Sequence, residues 1–226
     1  MVRAVIFDMD GVLIDTEKYL VKYWVQAGQE FGFDMKREHG LMIRSLAAKY
    51  AGPLLQSIFG ENFDYPAVRR RRKELMAQQL KKTGIEKKPF VDEALEALKA
   101  MGIKTAVATA TDMQRAGSYL KQIGIYDKFD RVICADMVEN GKPQPDIYEY
   151  ACRQIKEAPE NCVAVEDSPN GVLSAARAGL QTVMVPDLTE PDDQTRRLLC
   201  ACIPDLSALP GLIRKMNVPM CACQEK

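Results

Sequence analysis

The stretch VRAVIFDMDGVLIDTE, Val2 to Glu17, decides how the rest of the chain is read. An apolar run from Val2 to Phe7, interrupted only by Arg3, predicts a buried strand. Two acids, Asp8 and Asp10, stand at its mouth, and Gly11 follows at once. Unpaired charge at the end of a buried strand is costly, so paired carboxylates there need a compensating partner and a purpose.

Beyond this stretch the chain alternates strand and helix. Val91, Ala94, Leu95 and Leu98 repeat at helical spacing, predicting a helix over 91–101 that Gly102 ends. Strands are expected at 103–109, 131–134, Cys162–Val165 and Thr182–Val185. Helices are expected over 112–123, after Pro145 with Ile147, Ala151 and Ile155 inward, and after a Ser168 cap, ending at Gly179. Such alternation implies a Rossmann-like α/β core, a parallel sheet with helices on both faces.

Residues 15–87 break the rhythm. Leu20, Tyr23, Trp24, Ala27 and Phe31 form a helical stripe, and further helices are expected at 40–58 and 65–82. The expected organisation is a core of 1–14 and 88–226 with an inserted α-helical cap of 15–87. Its hinges would be 11–15 and the polar stretch KKTGIEKKP, 81–89.

The bulk numbers narrow the function. Lys plus Arg and Asp plus Glu each total 31 in 226 residues, which gives no electrostatic reason to expect nucleic acid or an anionic membrane as partner. A strand starting at Val2 leaves no room for a signal peptide, and no apolar run is long enough to span a bilayer. A cytoplasmic monomer is the expectation. Of seven cysteines, Cys200/Cys202 and Cys221/Cys223 form Cys-Ala-Cys pairs, read as free thiols because no CxxC or nearby His supports a zinc site. The last four residues have the length of a prenylation box without its aliphatic middle.

In an open parallel sheet, ligands bind beyond the carboxyl ends of the strands. Asp8 and Asp10 follow the first strand, Thr109 ends the second, Lys142 lies after the third, and Glu166 and Asp167 end the fourth. Close carboxylates repel unless a cation neutralises them, and hard oxygen ligands without histidine favour Mg²⁺.

These four groups, in this order, resemble the motifs of the haloacid dehalogenase superfamily, in its β-phosphoglucomutase-like phosphatase branch. Asp8, Asp10, Gly11 and Asp15 match DxDGxxxD, Thr109 the strand-ending Thr or Ser, Lys142 the Lys before Pro, and Glu166–Asp167 the acidic motif. The resemblance covers nearly the whole chain. It implies an aspartyl-phosphate mechanism, with Asp8 as nucleophile, Asp10 as proton shuttle, and Lys142 and Thr109 holding the phosphoryl oxygens. It also implies Mg²⁺ held by Asp8, the Asp10 carbonyl and Asp167 with Glu166 nearby, and contacts to a small phosphorylated substrate from Gly11, Ala110 and Thr111; Arg44, early in the cap, is a further candidate for a substrate contact.

Two departures stand out. β-Phosphoglucomutases carry a His four residues after the Thr of DTxxxH, where this chain has Leu20, which argues for a phosphatase over a phosphohexose mutase. The usual Pro-Gly before the core helix is Pro89-Phe90. Asp10 argues against dehalogenases and phosphonate hydrolases, which lack that acid. A receiver-type switch would be shorter and capless, and no GxG pair supports a nucleotide-dependent oxidoreductase. Trp24 reads as cap core and His39 as a solvated loop residue. The run Arg69–Lys73 reads as a solvated helix face, one member of which could reach the crevice and grip a remote phosphate.

Overall fold

A computed structural model of the chain describes residues 1–218. Strands β1 (Ala4–Phe7), β2 (Lys104–Thr109), β3 (Arg131–Cys134), β4 (Cys162–Glu166), β5 (Gln181–Met184) and β6 (Ala201–Cys202) form one sheet in the order β3-β2-β1-β4-β5-β6. Every pairing is parallel; Ile6, for example, lies opposite Ala106 on one side and Ala164 on the other. The α/β class read from the alternating pattern is the observed one.

β1 is buried on both faces because its alternate residues serve two cores. Val5 and Phe7 join the cluster beneath helices α5 (Val91–Ala100), α6 (Met113–Gln122) and α10 (Leu209–Asn217). Ala4 and Ile6 join the opposite cluster beneath α7 (Asp146–Ile155) and α8 (Pro169–Arg177). Ser168 caps α8, its hydroxyl accepting from the Gly171 amide at 3.3 Å. Strand β6, the four-residue helix α9 (Asp193–Arg196) and α10 lie beyond the last element expected from periodicity. Two residues of edge strand carry too little pattern to be legible.

Between β1 and α5 run four helices, α1 (Glu17–Glu30), α2 (Arg37–Met42), α3 (Ala48–Phe59) and α4 (Tyr65–Thr83). They bury a third cluster of their own that includes Trp24, Ala27, Leu55 and Val68. The two connecting segments are tied to each other: Asp15 N–H donates to the Glu86 carbonyl at 2.9 Å and Lys88 N–H to that of Leu13 at 3.0 Å.

Three expectations change here. The helix over 40–58 is broken at 43–47, where Ser45 takes a positive φ of 55°. Tertiary bonds replace helical ones in that break. The Ala47 amide donates to the Lys142 carbonyl at 2.8 Å, and the Asn170 side-chain amide donates to the carbonyls of Arg44 and Met42 at 2.9 and 3.1 Å. Phe31 lies past the end of α1 and is exposed, so the inward stripe stops at Ala27. His39 is helical rather than a loop residue; its Nδ1 accepts from the Lys36 amide at 3.0 Å and its ring meets the Phe59 edge.

Among the described residues no helix is long and apolar enough to cross a membrane. Cys200, just before β6, and Cys202, on it, are exposed and unbridged, while Cys221, Cys223 and the terminal tetrapeptide lie outside the described residues.

Candidate active site

Strand order reverses between β1 and β4, because β2 continues outward on one side and β5 on the other. Loops diverge at such a point and leave a crevice at the carboxyl edge. Asp8 follows β1 there, and Glu166 and Asp167 close β4 beside it. The backbones are stitched as well: the Asp8 amide donates to the Val165 carbonyl at 2.9 Å.

Lys142, reaching in from the loop after β3, is wholly buried and bonds the Asp8 carboxylate at 2.7 Å and Glu166 Oε1 at 2.6 Å. The Tyr148 hydroxyl, from α7, donates to the same Glu166 oxygen at 2.5 Å. Glu166 therefore supports Lys142, while its second oxygen is buried with no partner. Burial drives the Asp8 carboxyl up to about 7, against the pull of Lys142, and the charges of Glu166 and Asp10 push the same way. Burial pulls Lys142 down, but Asp8 and Glu166 outweigh it and hold the ammonium above its ordinary range.

Asp10 makes different contacts. Its two oxygens accept from the hydroxyls of Thr16 and Thr111, the latter at 3.1 Å. Thr109 is buried at the end of β2, and its hydroxyl accepts from the Thr111 amide at 3.1 Å, shaping the Thr109–Ala110–Thr111 turn beside Asp10. Ala110 and Thr111 line the cavity together with Asp8, Asp10, Leu20, Trp24 and Arg44.

Arg44 reaches the site through the break at 43–47. Its guanidinium lies 3.4 Å from Asp167 Oδ2 and bonds the Thr189 hydroxyl at 2.7 Å. Burial nevertheless drives the Asp167 carboxyl well above its usual range despite Arg44, with Asp8 and Glu166 adding to the shift. Glu17 was passed over in the sequence. It is 3% exposed, lines the cavity, and is pushed up by burial and then by Asp167 and Asp10. Thr16, Tyr148 and Gly171 were passed over too. The pair Thr16–Glu17 completes the opening stretch and offered a signal; Tyr148 offered none.

The oxygens of Asp8, Glu166 and Asp167 lie within 4.8 Å of one another. Asp167 Oδ1 and Glu166 Oε2 are both buried without a hydrogen-bond partner. Gly11, at φ 87°, passes so close that a Cβ would overlap the Asp167 carboxylate. An all-oxygen set with orphaned lone pairs fits a hard divalent cation such as Mg²⁺. The Asp10 carboxylate is not in this cluster, which leaves only its backbone to contribute.

A carboxylate steadied by a lysine, with a second carboxylate beside it on two hydroxyls, is equipped for nucleophilic attack and for proton transfer. The family model described as haloacid dehalogenase-like hydrolase matches residues 2–179, and the chain belongs to that family. It is 32% identical over 188 residues to YhcW of Bacillus subtilis, covering 83% of this chain and 84% of YhcW. It is 33% identical over 186 residues to the phosphorylated carbohydrates phosphatase of Thermotoga maritima, covering 80% and 83%. The crystal structure of β-phosphoglucomutase from Clostridium difficile superposes with a TM-score of 0.79 at 21% identity, covering 95% of this chain and 96% of that one, a likeness of fold. These relatives place the chain among the phosphoric monoester hydrolases.

Proposed function

We propose that the protein is a Mg²⁺-dependent phosphatase of small phosphorylated sugars that works through an aspartyl-phosphate on Asp8. The observation that carries the reading is the Asp8 carboxylate, buried at the carboxyl edge of the central strand and bonded to Lys142 at 2.7 Å. The relative that acts on phosphorylated carbohydrates supports the substrate class.

In the first half-reaction an Asp8 oxygen attacks phosphorus and the bond to the substrate oxygen breaks. Asp10 donates a proton to that oxygen, which leaves as an alcohol. In the second, Asp10 takes a proton from water, the water oxygen attacks phosphorus, and Asp8 is released with inorganic phosphate. Thr16 and Thr111 hold the Asp10 carboxyl in place for both transfers, and Lys142 faces the charge of the transferring group. Asp8, Asp167 and Glu166, with the Asp10 carbonyl, would hold Mg²⁺, which when bound supplies positive charge that offsets repulsion between carboxylate and phosphate.

Helices α1–α4 act in this reading as a cap over the crevice, hinged at the two cross-linked segments around Asp15 and Lys88. Leu20 lines the cavity without a hydrogen-bonding group, which favours water over a returning sugar hydroxyl as acceptor.

The test is phosphate release from a panel of sugar monophosphates with and without Mg²⁺. Asp8→Asn should abolish turnover in a protein that still folds cooperatively. Full activity in folded Asp8→Asn, or after thorough chelation, would overturn the nucleophile or the metal assignment respectively.

A further inference from the structure

Helix α7 runs against the direction of β4 and meets it twice. Near the start of the helix, the Tyr148 hydroxyl reaches Glu166 at the carboxyl end of the strand. One turn further along the same face, Cys152 meets Cys162, the first residue of the strand. Both cysteines are buried and unbridged. The Cys162 thiol donates to the Ala158 carbonyl at 3.3 Å, and the thiols of Cys152 and Cys162 share a hydrogen bond.

Packing alone does not call for this pair. Ala4, Ala106 and Ala164 fill other places in the same cluster, and alanine or valine would fill these two as well. Thiols in contact add a chemistry those side chains lack, because oxidation can join them. The surroundings suit that chemistry. Cys152 lines a surface cleft with Arg153, Lys156 and Ala158, which gives a small oxidant a short path to its sulfur. The bond from Cys162 and the charge of Arg153 outweigh burial and pull the Cys152 thiol below its ordinary range, towards the reactive thiolate, while the Cys162 thiol is held above its own by Cys152 and by burial. Residues 156–161 join the two elements and belong to neither, and Lys156 turns the chain there at a φ of 57°. Such a connection can shift as the sulfurs close to bonding distance.

We propose that Cys152 and Cys162 are a peroxide-reactive pair that closes to a disulfide, and that closing it slows the active site by moving Tyr148 away from Glu166. The Cys152 thiolate attacks one peroxide oxygen, the O–O bond breaks, and a sulfenic acid forms while the departing hydroxide takes up the thiol proton and leaves as water. The Cys162 sulfur then attacks the sulfenic sulfur. The S–S bond forms, the S–O bond breaks, and the hydroxyl leaves with the Cys162 proton as a second water. The two thiols give up two electrons, which reduce one peroxide to two waters. Cys152 and Tyr148 sit on one hydrogen-bonded turn of α7, so drawing Cys152 onto Cys162 moves the hydroxyl that steadies Glu166, the partner of Lys142. The effect on turnover rests on the phosphatase reading above; the disulfide does not.

The test treats reduced wild type with a small excess of hydrogen peroxide, alkylates the remaining thiols, digests the protein and reads the peptides by mass. A linked Cys152–Cys162 peptide that dithiothreitol removes is expected. Both thiols still alkylated at a peroxide level that has oxidised the exposed Cys200 and Cys202 would overturn the pair. Phosphate release from p-nitrophenyl phosphate is followed beside it in a chain carrying Cys200→Ser, Cys202→Ser, Cys221→Ser and Cys223→Ser. There kcat should fall severalfold on oxidation and recover with dithiothreitol. The fall should vanish when Cys162→Ala is added, or Cys152→Ala should the first fail to fold, and a fall that persists would overturn the proposal. In Tyr148→Phe, which has already lost the hydroxyl, oxidation should cost little more. A disulfide that leaves kcat unchanged, or an undiminished fall in Tyr148→Phe, would overturn the coupling to Tyr148. Absence of turnover in the reduced protein would remove the phosphatase reading, and the digest would still decide the disulfide.

Discussion

Raising the pH of the metal-free protein should destabilise it, and Mg²⁺ should cancel the effect. Asp8 keeps its proton in the folded state up to about 7, whereas the ordinary value is 3.8. Between these values the folded chain binds more protons than the unfolded one, so stability falls as pH rises through the window and is fully reduced above its upper end. The whole gap corresponds to about 4 kcal/mol. Between about pH 5 and about pH 7.5 the loss from Asp8 alone is about 2.5 kcal/mol, or a drop in Tm of roughly 5–10 °C for a chain of this size. Glu17 and Asp167 are shifted in the same direction and steepen the slope. The chain has a single histidine, so few ordinary side chains titrate in this window. A bound dication favours the ionised carboxylates, so stabilisation by Mg²⁺ should grow with pH. The assay is thermal melting against pH in chelator and in saturating Mg²⁺, with Asp8→Asn beside the wild type. A metal-free Tm that stays level or rises across the window would refute the reasoning. So would an Asp8→Asn variant that falls as steeply as wild type.

Other outcomes test other parts of the site. Given β-glucose 1-phosphate and a trace of glucose 1,6-bisphosphate, the protein should release phosphate faster than it forms glucose 6-phosphate, because Leu20 cannot hold Asp10 back from water; the opposite ratio would make it a mutase. Tyr148→Phe removes a buried hydroxyl from Glu166 and should cost about 1–2 kcal/mol of stability together with a severalfold fall in kcat, both lost to view if Lys142 needs no such support. At Gly171 a Cβ would overlap the Glu166 carboxylate, so Gly171→Ala should lower kcat at least about tenfold by displacing the partner of Lys142; wild-type kcat would show that Glu166 is free to move. Phe90 is exposed and left-handed at φ 64°, a conformation that suits Gly, and Phe90→Gly should stabilise by about 0.5–1 kcal/mol as read by Tm, with a fall in Tm counting against strain at this residue.

Five of the six strands, and the acids at their ends, are legible in the amino-acid sequence. Short continuous apolar runs and helical stripes are local patterns, so β1 to β5 and α5 to α8 could be read within a residue or two. Asp8, Asp10, Thr109, Lys142, Glu166 and Asp167 were legible because parallel strands must end on one edge, so residues at four strand ends share one crevice whatever the details between them. Tertiary structure alone decided what those residues touch. Whether Glu166 faces Lys142, a cation or both depends on Tyr148 arriving from another helix, and a single hydroxyl leaves no periodic trace. The break at 43–47 exists because Lys142 and Asn170 supply the backbone bonds a helix would have used, and it carries Arg44 to Asp167. Arg72 could not be told from Arg70 or Arg71 in a run of four identical residues, since each is equally basic and differs only in its angle about the helix axis. Where α4 packs on α1 fixes that angle, and so which arginine is buried against Trp24 and which is left in water.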